Sequence, residues 1–288
     1  MTRRDLRDLF LLSAFWGTSF LLIKWAGHDF PPVWVALLRS VFGAAVLLLV
    51  LWGRRLPLPP RSFWPTLTLL ALLNNAFPWL MFALGEQTVS SSVASILNAT
   101  TPLFTLLITV GLGESRPSLQ LGLGVLLGLA GVALTVSGGL SGGQVSLVGA
   151  LLILAAALSY GFGGVLGKKK AVGLTPLSLA AGQLLLSTLL LLPFAVFGAH
   201  PAHVGLQAWG AVAALGIFGS GLAYLLFYSL LARVSPTQAS AVTYLLPIWG
   251  LLWGFLAGEH VGLTSLLGVA VVLAGVVLLN VPSLRRAS

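Results

Sequence analysis

Ten apolar segments, each long enough to cross a lipid bilayer, recur along this 288-residue chain. Each is close to the ~20 residues that a helix needs to span the hydrocarbon core. Hydrophobic residues make up 58% of the chain and charged residues 7%, which excludes an ordinary soluble domain. The segments therefore predict an all-α membrane protein with ten transmembrane helices. They cover residues 6–26, 33–52, 63–84, 89–111, 117–137, 147–167, 176–197, 206–231, 237–257 and 263–281.

The basic residues fall on one side of the membrane when the N-terminus is placed in the cytoplasm, as the positive-inside rule requires. Lys24 falls on the outer side, and Arg39 lies within the second span. Because one span more or fewer would scramble this segregation, we predict cytoplasmic N- and C-termini in the inner (plasma) membrane. The net charge of +9 then reflects orientation and predicts no nucleic-acid partner. The inside residues are Arg3, Arg4, Arg7, Arg54, Arg55, Arg61, Arg116, Lys168, Lys169, Lys170, Arg233, Arg285 and Arg286.

The second half of the chain repeats the first about 144 residues later. Lys24 recurs as Lys168, and Glu114 recurs as Glu259, in a chain where charged residues are rare. Five helices per half place the two halves in opposite orientations across the membrane. Inverted repeats of this kind are typical of secondary transporters. We therefore predict two inverted five-helix repeats, residues 1–140 and 141–288.

Four motifs carry a resemblance to a known family: Ala14-x-Trp16-Gly17-x-x-Phe20, the proline followed by Arg39, Ser95-x-x-Asn98-x-x-x-Pro102, and the Gly-Glu pairs ending the fourth and ninth spans. On these motifs the chain resembles the drug/metabolite transporter superfamily, specifically its EamA-type ten-helix members. The resemblance implies a secondary transporter of small molecules, with amino acids and related metabolites as the commonest substrates. The expectation that transport is mainly outward rests on this resemblance alone.

Prolines inside the spans predict interruptions of three helices, at Pro78, Pro102 and Pro247. A proline removes an amide donor and clashes with the carbonyl four residues earlier, so it kinks a helix. Pro102 and Pro247 would free the carbonyls of Asn98 and Thr243. Broken helices near the midplane supply such backbone groups to the substrate in many transporters. We therefore expect the substrate site around these kinks.

Polar and aromatic side chains within the spans predict a central cavity that suits amphipathic solutes. Arg39 would attract a carboxylate, whereas the alternative is that it snorkels to the outer headgroups. The polar residues could instead join helices, and the rings could fill space between them. The candidate substrate-binding residues are Trp16, Arg39, Asn74, Asn75, Trp79, Ser95, Asn98, Thr101, Tyr160, Gln183, Tyr224, Tyr228 and Tyr244.

Glu114 and Glu259 each end a span, where their negative charge opposes the helix macrodipole. A basic partner should therefore hold each of them. The predicted orientation and the repeat favour Lys24 with Glu259 on the outer side and Lys168 with Glu114 on the inner side. These pairs are candidate gates that break as each side opens. The alternative is static, solvated charge at helix ends, which contributes little.

All six acidic residues fall at span ends or in loops: Asp5, Asp8, Asp29, Glu86, Glu114 and Glu259. The four histidines also fall at span ends. A proton relay uses carboxylates or histidines buried in the membrane. The sequence therefore favours facilitated diffusion or exchange. The alternative is a proton-coupled efflux carrier for drugs or other metabolites.

No hydrolase, metalloprotease or nucleotide-binding motif occurs in the chain, so we predict neither an enzyme nor a bound metal or cofactor. The predicted partners are a small-molecule substrate and the lipid bilayer. A non-transporting structural membrane protein is the alternative from another class. Glycines at four-residue steps fit close packing within one bundle, which favours a monomer over a homodimer.

Overall fold

The computed structural model describes residues 2–114, 118–141, 145–170, 173–234 and 242–280, which form helices joined by short connections. This confirms the all-α prediction. The helices are α1 (Arg3–Ala26), α2 (Pro32–Gly53), α3 (Arg61–Gly85), α4 (Ser91–Gly111), α5 (Leu119–Ser141), α6 (Leu147–Lys170), α7 (Pro176–Phe197), α8 (Leu206–Leu231), α9 (Val242–Leu256) and α10 (Leu263–Asn280).

In the part of the chain that is described, α1 to α8 are long and apolar enough to cross a membrane, and α9 and α10 are shorter apolar helices. The first five residues of the predicted ninth span lie outside the described residues, as do Arg116, Arg285 and Arg286. The count of ten spans and the cytoplasmic placement of the termini stay predictions.

The helices pack in a pattern that matches between the halves of the chain. Helix α1 packs on α8 and α9, and its counterpart α6 packs on α3 and α4. Helix α5 packs along α10. A Cβ on Gly131 of α5 would lie 2.5 Å from the Val272 nitrogen and 2.7 Å from the Gly268 oxygen, so the two backbones touch. Small residues permit this close approach of helices in lipid.

The bundle has two distinct ends. Helices α3 and α6 are antiparallel, because Gly85 lies against Gly149 and Asn74 lies against Gly163. The residue that follows α3 is Glu86, and we call this end of the bundle the Glu86 end. The opposite end holds the last turn of α6, and we call it the Lys168 end. Under the predicted orientation the Lys168 end faces the cytoplasm.

Two π-helical segments interrupt long helices at matching places, Leu72–Ala76 in α3 and Ile217–Leu222 in α8. Their first residues are 145 positions apart in the sequence. Single π turns inside α-helices occur frequently at functional sites. Pro78 lies two residues after the end of the first segment.

Helix α4 is also interrupted, at Ala99 and Thr100, and Pro102 lies in the first turn of the segment that resumes. A proline is tolerated there because that turn has no intrahelical amide bond to lose. Pro247, in contrast, lies inside α9, and the helix continues without interruption on both sides of it. Of the three predicted kink sites, therefore, Pro247 is not accompanied by a break in the helix.

Arg233, which follows α8, forms ion pairs with the first turns of α1. Its side chain donates to Asp5 at 2.9 Å and to Asp8 at 2.6 Å, and both carboxylates are buried. Removing one partner of a buried ion pair leaves an uncompensated charge. We expect Arg233→Gln to lower the melting temperature of the protein in detergent, followed by tryptophan fluorescence.

The matched control for this prediction is Arg4→Gln, because Arg4 is exposed and has no ion pair within the described residues. Its melting temperature should equal that of the wild type. If the two variants have the same melting temperature, the ion pairs of Arg233 with α1 do not stabilise the protein.

Candidate functional site

A cavity of about 620 Å³ lies at the centre of the bundle. Side chains from α1–α4 and α6–α9 line it, whereas α5 and α10 lie outside. At the Lys168 end its lining residues Gly164 and Lys168 are exposed. At the other end Phe20, Ile23 and Phe82 are buried. The cavity is therefore open at the Lys168 end and closed at the Glu86 end.

Most of the predicted substrate-binding residues meet in this cavity. The structure places Trp16, Arg39, Asn74, Trp79, Asn98, Thr101, Tyr160, Gln183, Tyr224 and Tyr228 in its lining. These residues come from seven helices, α1–α4 and α6–α8. The cavity therefore assembles the predicted set through tertiary packing.

Three predicted residues, Asn75, Ser95 and Tyr244, are not in the lining. Asn75 lies outside the cavity and donates to the Tyr224 hydroxyl at 2.9 Å. It differs from its neighbour Asn74, which lines the cavity, because adjacent helical residues point in different directions. Ser95 donates to the Ser92 carbonyl at 2.7 Å and lies against α9, so it joins helices. Tyr244 packs against the apolar core. These three residues therefore do not meet the others in the cavity, where the sequence had led us to expect them.

Arg39 is held in the wall of the cavity. It is 7% exposed, its Nε donates to the Ser220 hydroxyl at 3.0 Å, and its guanidinium carbon lies 4.1 Å from the centre of the Trp79 ring. Stacking on an aromatic face stabilises a desolvated cation. Its two terminal nitrogens have no hydrogen-bond partner within the described residues. Arg39 is thus a buried cation with donors available to a ligand, and it does not snorkel.

Polar residues beside Arg39 connect the two halves of the chain. Arg39 of α2 bonds to α8 through Ser220, and Gln183, its counterpart on α7, accepts from Asn74 of α3 at 3.1 Å. The Thr101 hydroxyl donates to the Asn98 carbonyl at 2.8 Å. The carbonyl that Pro102 was expected to free is therefore bonded within its own helix, and Asn98 faces the cavity through its side chain.

Aromatic rings form much of the cavity surface. Trp16 packs against Phe227 with ring centres 5.3 Å apart, and Tyr224 stacks on Tyr228 at 6.1 Å. Sequence reasoning missed Phe227, together with Phe20 and Phe82. Phe227 is adjacent to Tyr228 in sequence, which was an available signal. Apolar rings are equally suited to lipid, however, so hydropathy alone cannot place them in a cavity.

The predicted pair of Lys24 and Glu259 does not form. The Lys24 ammonium donates to the backbone carbonyls of Glu86 at 2.8 Å and Val89 at 3.2 Å. The Glu259 carboxylate accepts from the amides of Ser91 at 2.9 Å and Ser92 at 3.0 Å. Helix C-termini carry unpaired carbonyls and helix N-termini carry unpaired amides. These backbone groups lie just after α3 and at the start of α4. Lys24 and Glu259 bind to them and therefore do not pair with each other.

At the opposite end Glu114 forms an ion pair with Lys169, not with the predicted Lys168. Successive helical residues are about 100° apart around the axis, so neighbouring lysines face different surroundings. Lys168 faces the cavity instead. Its ammonium has no hydrogen bond or ion pair within the described residues.

Glu86 is buried, although the sequence places it at the end of a span. It is 2% exposed, and neither of its Oε atoms has a hydrogen-bond partner within the described residues. Burial raises the pKa of this carboxyl well above its ordinary value, and the nearby Glu259 charge raises it further. Its position directly after α3 did not reveal this, because the covering residues come from other helices.

The family model described as the EamA-like transporter family matches residues 9–137 and again residues 147–281. The uncharacterized inner membrane transporter YedA of Escherichia coli K12 is 32% identical over 276 residues, which covers 94% of this chain and 89% of YedA. An uncharacterized transporter of Archaeoglobus fulgidus is 29% identical, covering 94% of this chain and 95% of its own length. The uncharacterized transporter YoaV of Bacillus subtilis is 27% identical over 267 residues, covering 91% of each.

A solved crystal structure of a protein resembles this chain with a TM-score of 0.68 over 97% of both chains. At 20% identity, that likeness shows a shared fold and nothing further. The family match spans most of the chain, and the relatives are similar over nearly their whole lengths. The apolar helices agree with this placement in a membrane. This chain therefore belongs to the EamA-like transporter family and is a multi-pass transporter of the inner membrane.

Proposed function

We propose that this chain is a secondary transporter that moves small amphipathic metabolites, foremost apolar and aromatic amino acids, by alternating access. The observation that carries the proposal is Arg39, a buried cation with unpaired donors in an aromatic cavity. A substrate carboxylate would bind its terminal nitrogens, because charge-assisted bonds to a guanidinium are strong and directional. The apolar body would lie along Trp16, Tyr224 and Phe227. The cavity volume of about 620 Å³ lies in the usual range for small ligands.

Alternating access would follow from the exchange of conformations between the proposed repeats, residues 1–140 and 141–288. Matched contacts support this part of the proposal. Gly17 of α1 lies against Trp249 of α9, and its counterpart Gly161 of α6 lies against Phe104 and Thr105 of α4. Two repeats that make equivalent contacts can exchange their arrangements around a central site.

Lys24 and Lys168 would act as equivalent gates in this exchange. Lys24 closes the Glu86 end by bonding two backbone carbonyls that follow α3, at Glu86 and Val89. The counterparts of those two residues, 145 positions later, are Leu231 and Val234 at the end of α8. Lys168 would bond their carbonyls when the Lys168 end closes. Glu259, which accepts from the first amides of α4, would release them when the Glu86 end opens.

The test is flux of labelled amino acids into proteoliposomes that hold the purified protein, with and without a pH gradient. We expect saturable flux of phenylalanine and leucine above protein-free liposomes, with little flux of lysine, whose charged side chain would lose hydration along the apolar cavity wall. Absence of flux for every amino acid would contradict the substrate class. Export, which is proposed from family resemblance, is tested by comparing efflux from intact cells with and without the protein.

Two alternatives remain as competing proposals. Proton-coupled efflux of drugs or other metabolites is favoured by one observation, the buried carboxyl of Glu86. A purely structural membrane protein would have no use for a cavity of this size that holds an arginine with unpaired donors.

Because the cavity is lined within one chain, we also propose the monomer as the transporting unit.

A further inference from the structure

Glu86 lies between the closed end of the cavity and the surface. It follows α3 directly, and Phe82, one helical turn earlier, lines the cavity. The side chain is 2% exposed, and both Oε atoms lack a hydrogen-bond partner within the described residues. An ionised carboxylate buried without donors is strongly disfavoured, whereas the protonated acid is a small neutral group. The closed end thus encloses a carboxyl that has no hydrogen-bond donor within the described residues.

None of the charged groups near Glu86 forms a hydrogen bond with its carboxyl within the described residues. On α1, Lys24 donates to two backbone carbonyls, and on α2, Arg39 donates to Ser220 and stacks on Trp79. After α9, Glu259 accepts from the start of α4. Lys24 and Arg39 lower the pKa of Glu86, while burial, the largest influence, and Glu259 raise it. Helix α6 contributes glycine and isoleucine against Gly85 and no charge at this end.

The other half of the chain carries an apolar residue at the position that matches Glu86. The counterpart of Glu86, 145 residues later, is Leu231, and the two follow matching helix turns. An apolar side chain therefore serves at the equivalent position. Leucine at position 86 would supply similar volume without a titratable group. The Glu86 end therefore contains a titratable carboxyl at this position, whereas the Lys168 end contains leucine.

We propose that Glu86 is a proton-binding site that controls closure of the Glu86 end. The carboxyl holds a proton while the closed Glu86 end encloses it, and it transfers that proton to water when the end opens and the side chain becomes hydrated. Closure requires the reverse transfer, from water to the carboxylate. This inference goes beyond substrate transport, because it concerns the gate and needs no substrate.

The direction of the pH dependence follows from the raised pKa of Glu86 in the closed state. The closed state binds a proton more tightly than the open state, in which a hydrated carboxyl has an ordinary pKa of about 4.3. Closure is therefore most favoured below that ordinary value and is lost as the pH rises through the raised value. Under the predicted orientation, acid outside the cell would hold the outer end closed and the cavity open to the cytoplasm.

The chain contains no cysteine, so a single introduced thiol can report on closure. Ile23→Cys places the thiol at the closed end of the cavity, and His28→Cys places one at an exposed position nearby. A membrane-impermeant maleimide is added to the side from which the His28→Cys variant is labelled. The labelling rate of the first variant, divided by that of the second, is measured from about pH 5.5 to about pH 8.5 without substrate.

We expect this ratio to rise at least threefold with pH when Glu86 is present. It should stay low and constant in Ile23→Cys combined with Glu86→Leu, or with Glu86→Gln if the leucine variant aggregates. Asp29→Asn is the matched carboxylate control at the same end, where Asp29 accepts from the Gly205 amide, and it should retain the rise. A flat ratio with Glu86 present, or the same rise in the Glu86 variants, would overturn the proposal. Neither result depends on which substrate is carried.

Discussion

Replacement of Arg39 with glutamine is expected to weaken binding of a carboxylate substrate by about 10- to 150-fold. Hydrogen bonds to charged groups contribute ~1.5–3 kcal/mol each, and ~1.4 kcal/mol corresponds to a tenfold change in affinity. The wild-type guanidinium is buried beside Trp79 and offers two unpaired nitrogens, so water screens it poorly. Glutamine keeps a polar group in the cavity but removes the charge. The measurement is the KM for phenylalanine flux in proteoliposomes, together with equilibrium binding followed through tryptophan fluorescence.

The control for this prediction changes the ligand. Phenylalanine amide has the same apolar body and amino group without the carboxylate. Wild-type protein and Arg39→Gln should bind this amide with similar, weak affinity. If the variant instead binds phenylalanine as tightly as the wild type does, Arg39 does not recognise the carboxylate, and its role is confined to linking α2 to Ser220 on α8.

The second large effect is expected at Gly131, where Gly131→Leu should separate α5 from α10. A side chain there would enter the space of the Val272 nitrogen and the Gly268 oxygen, which are backbone atoms and cannot rotate away. Overpacking of this kind costs ~1–3 kcal/mol and more where the backbone must move. We expect a fall in melting temperature and loss of monodisperse protein, measured by heating in detergent followed by size-exclusion chromatography.

Gly122→Leu is the matched control on the same helix, because a Cβ at Gly122 meets nothing within 4 Å. Glycine is also a poor helix former, so this variant should be as stable as the wild type or more stable. Equal losses of stability in the two variants would show that α5 does not pack on α10 through Gly131. Both variants leave the cavity lining intact, so neither result bears on substrate recognition.

The helices themselves were largely predictable from the sequence. The predicted windows 33–52 and 176–197 correspond to Pro32–Gly53 and Pro176–Phe197. Agreement is close because the thickness of the bilayer limits each apolar segment to a narrow range of lengths, and charges or prolines punctuate the ends. Most of the polar and aromatic residues that line the cavity were also identified, because such side chains are rare inside membrane spans and are usually placed there for a reason.

The partners of individual charges, in contrast, depended on tertiary structure. The repeat correctly singled out Lys24, Glu259 and Glu114 as residues with specific contacts, but two of these charges bind helix ends and the third binds Lys169. A sequence offset identifies equivalent positions, whereas the choice of partner depends on which unpaired backbone groups lie within about 3 Å once the helices have packed.

Glu86 shows most clearly the difference between what the sequence predicts and what depends on tertiary structure. The sequence by itself determined the membrane class, the helix positions, the family motifs and the presence of an arginine within a span. It placed Glu86 at the end of a span, where carboxylates are normally hydrated. Only the packing of α1, α4 and α6 around the end of α3 decided that this carboxyl is sealed from water. Burial is a property of the whole assembly, because the atoms that exclude water come from segments that are distant in the chain.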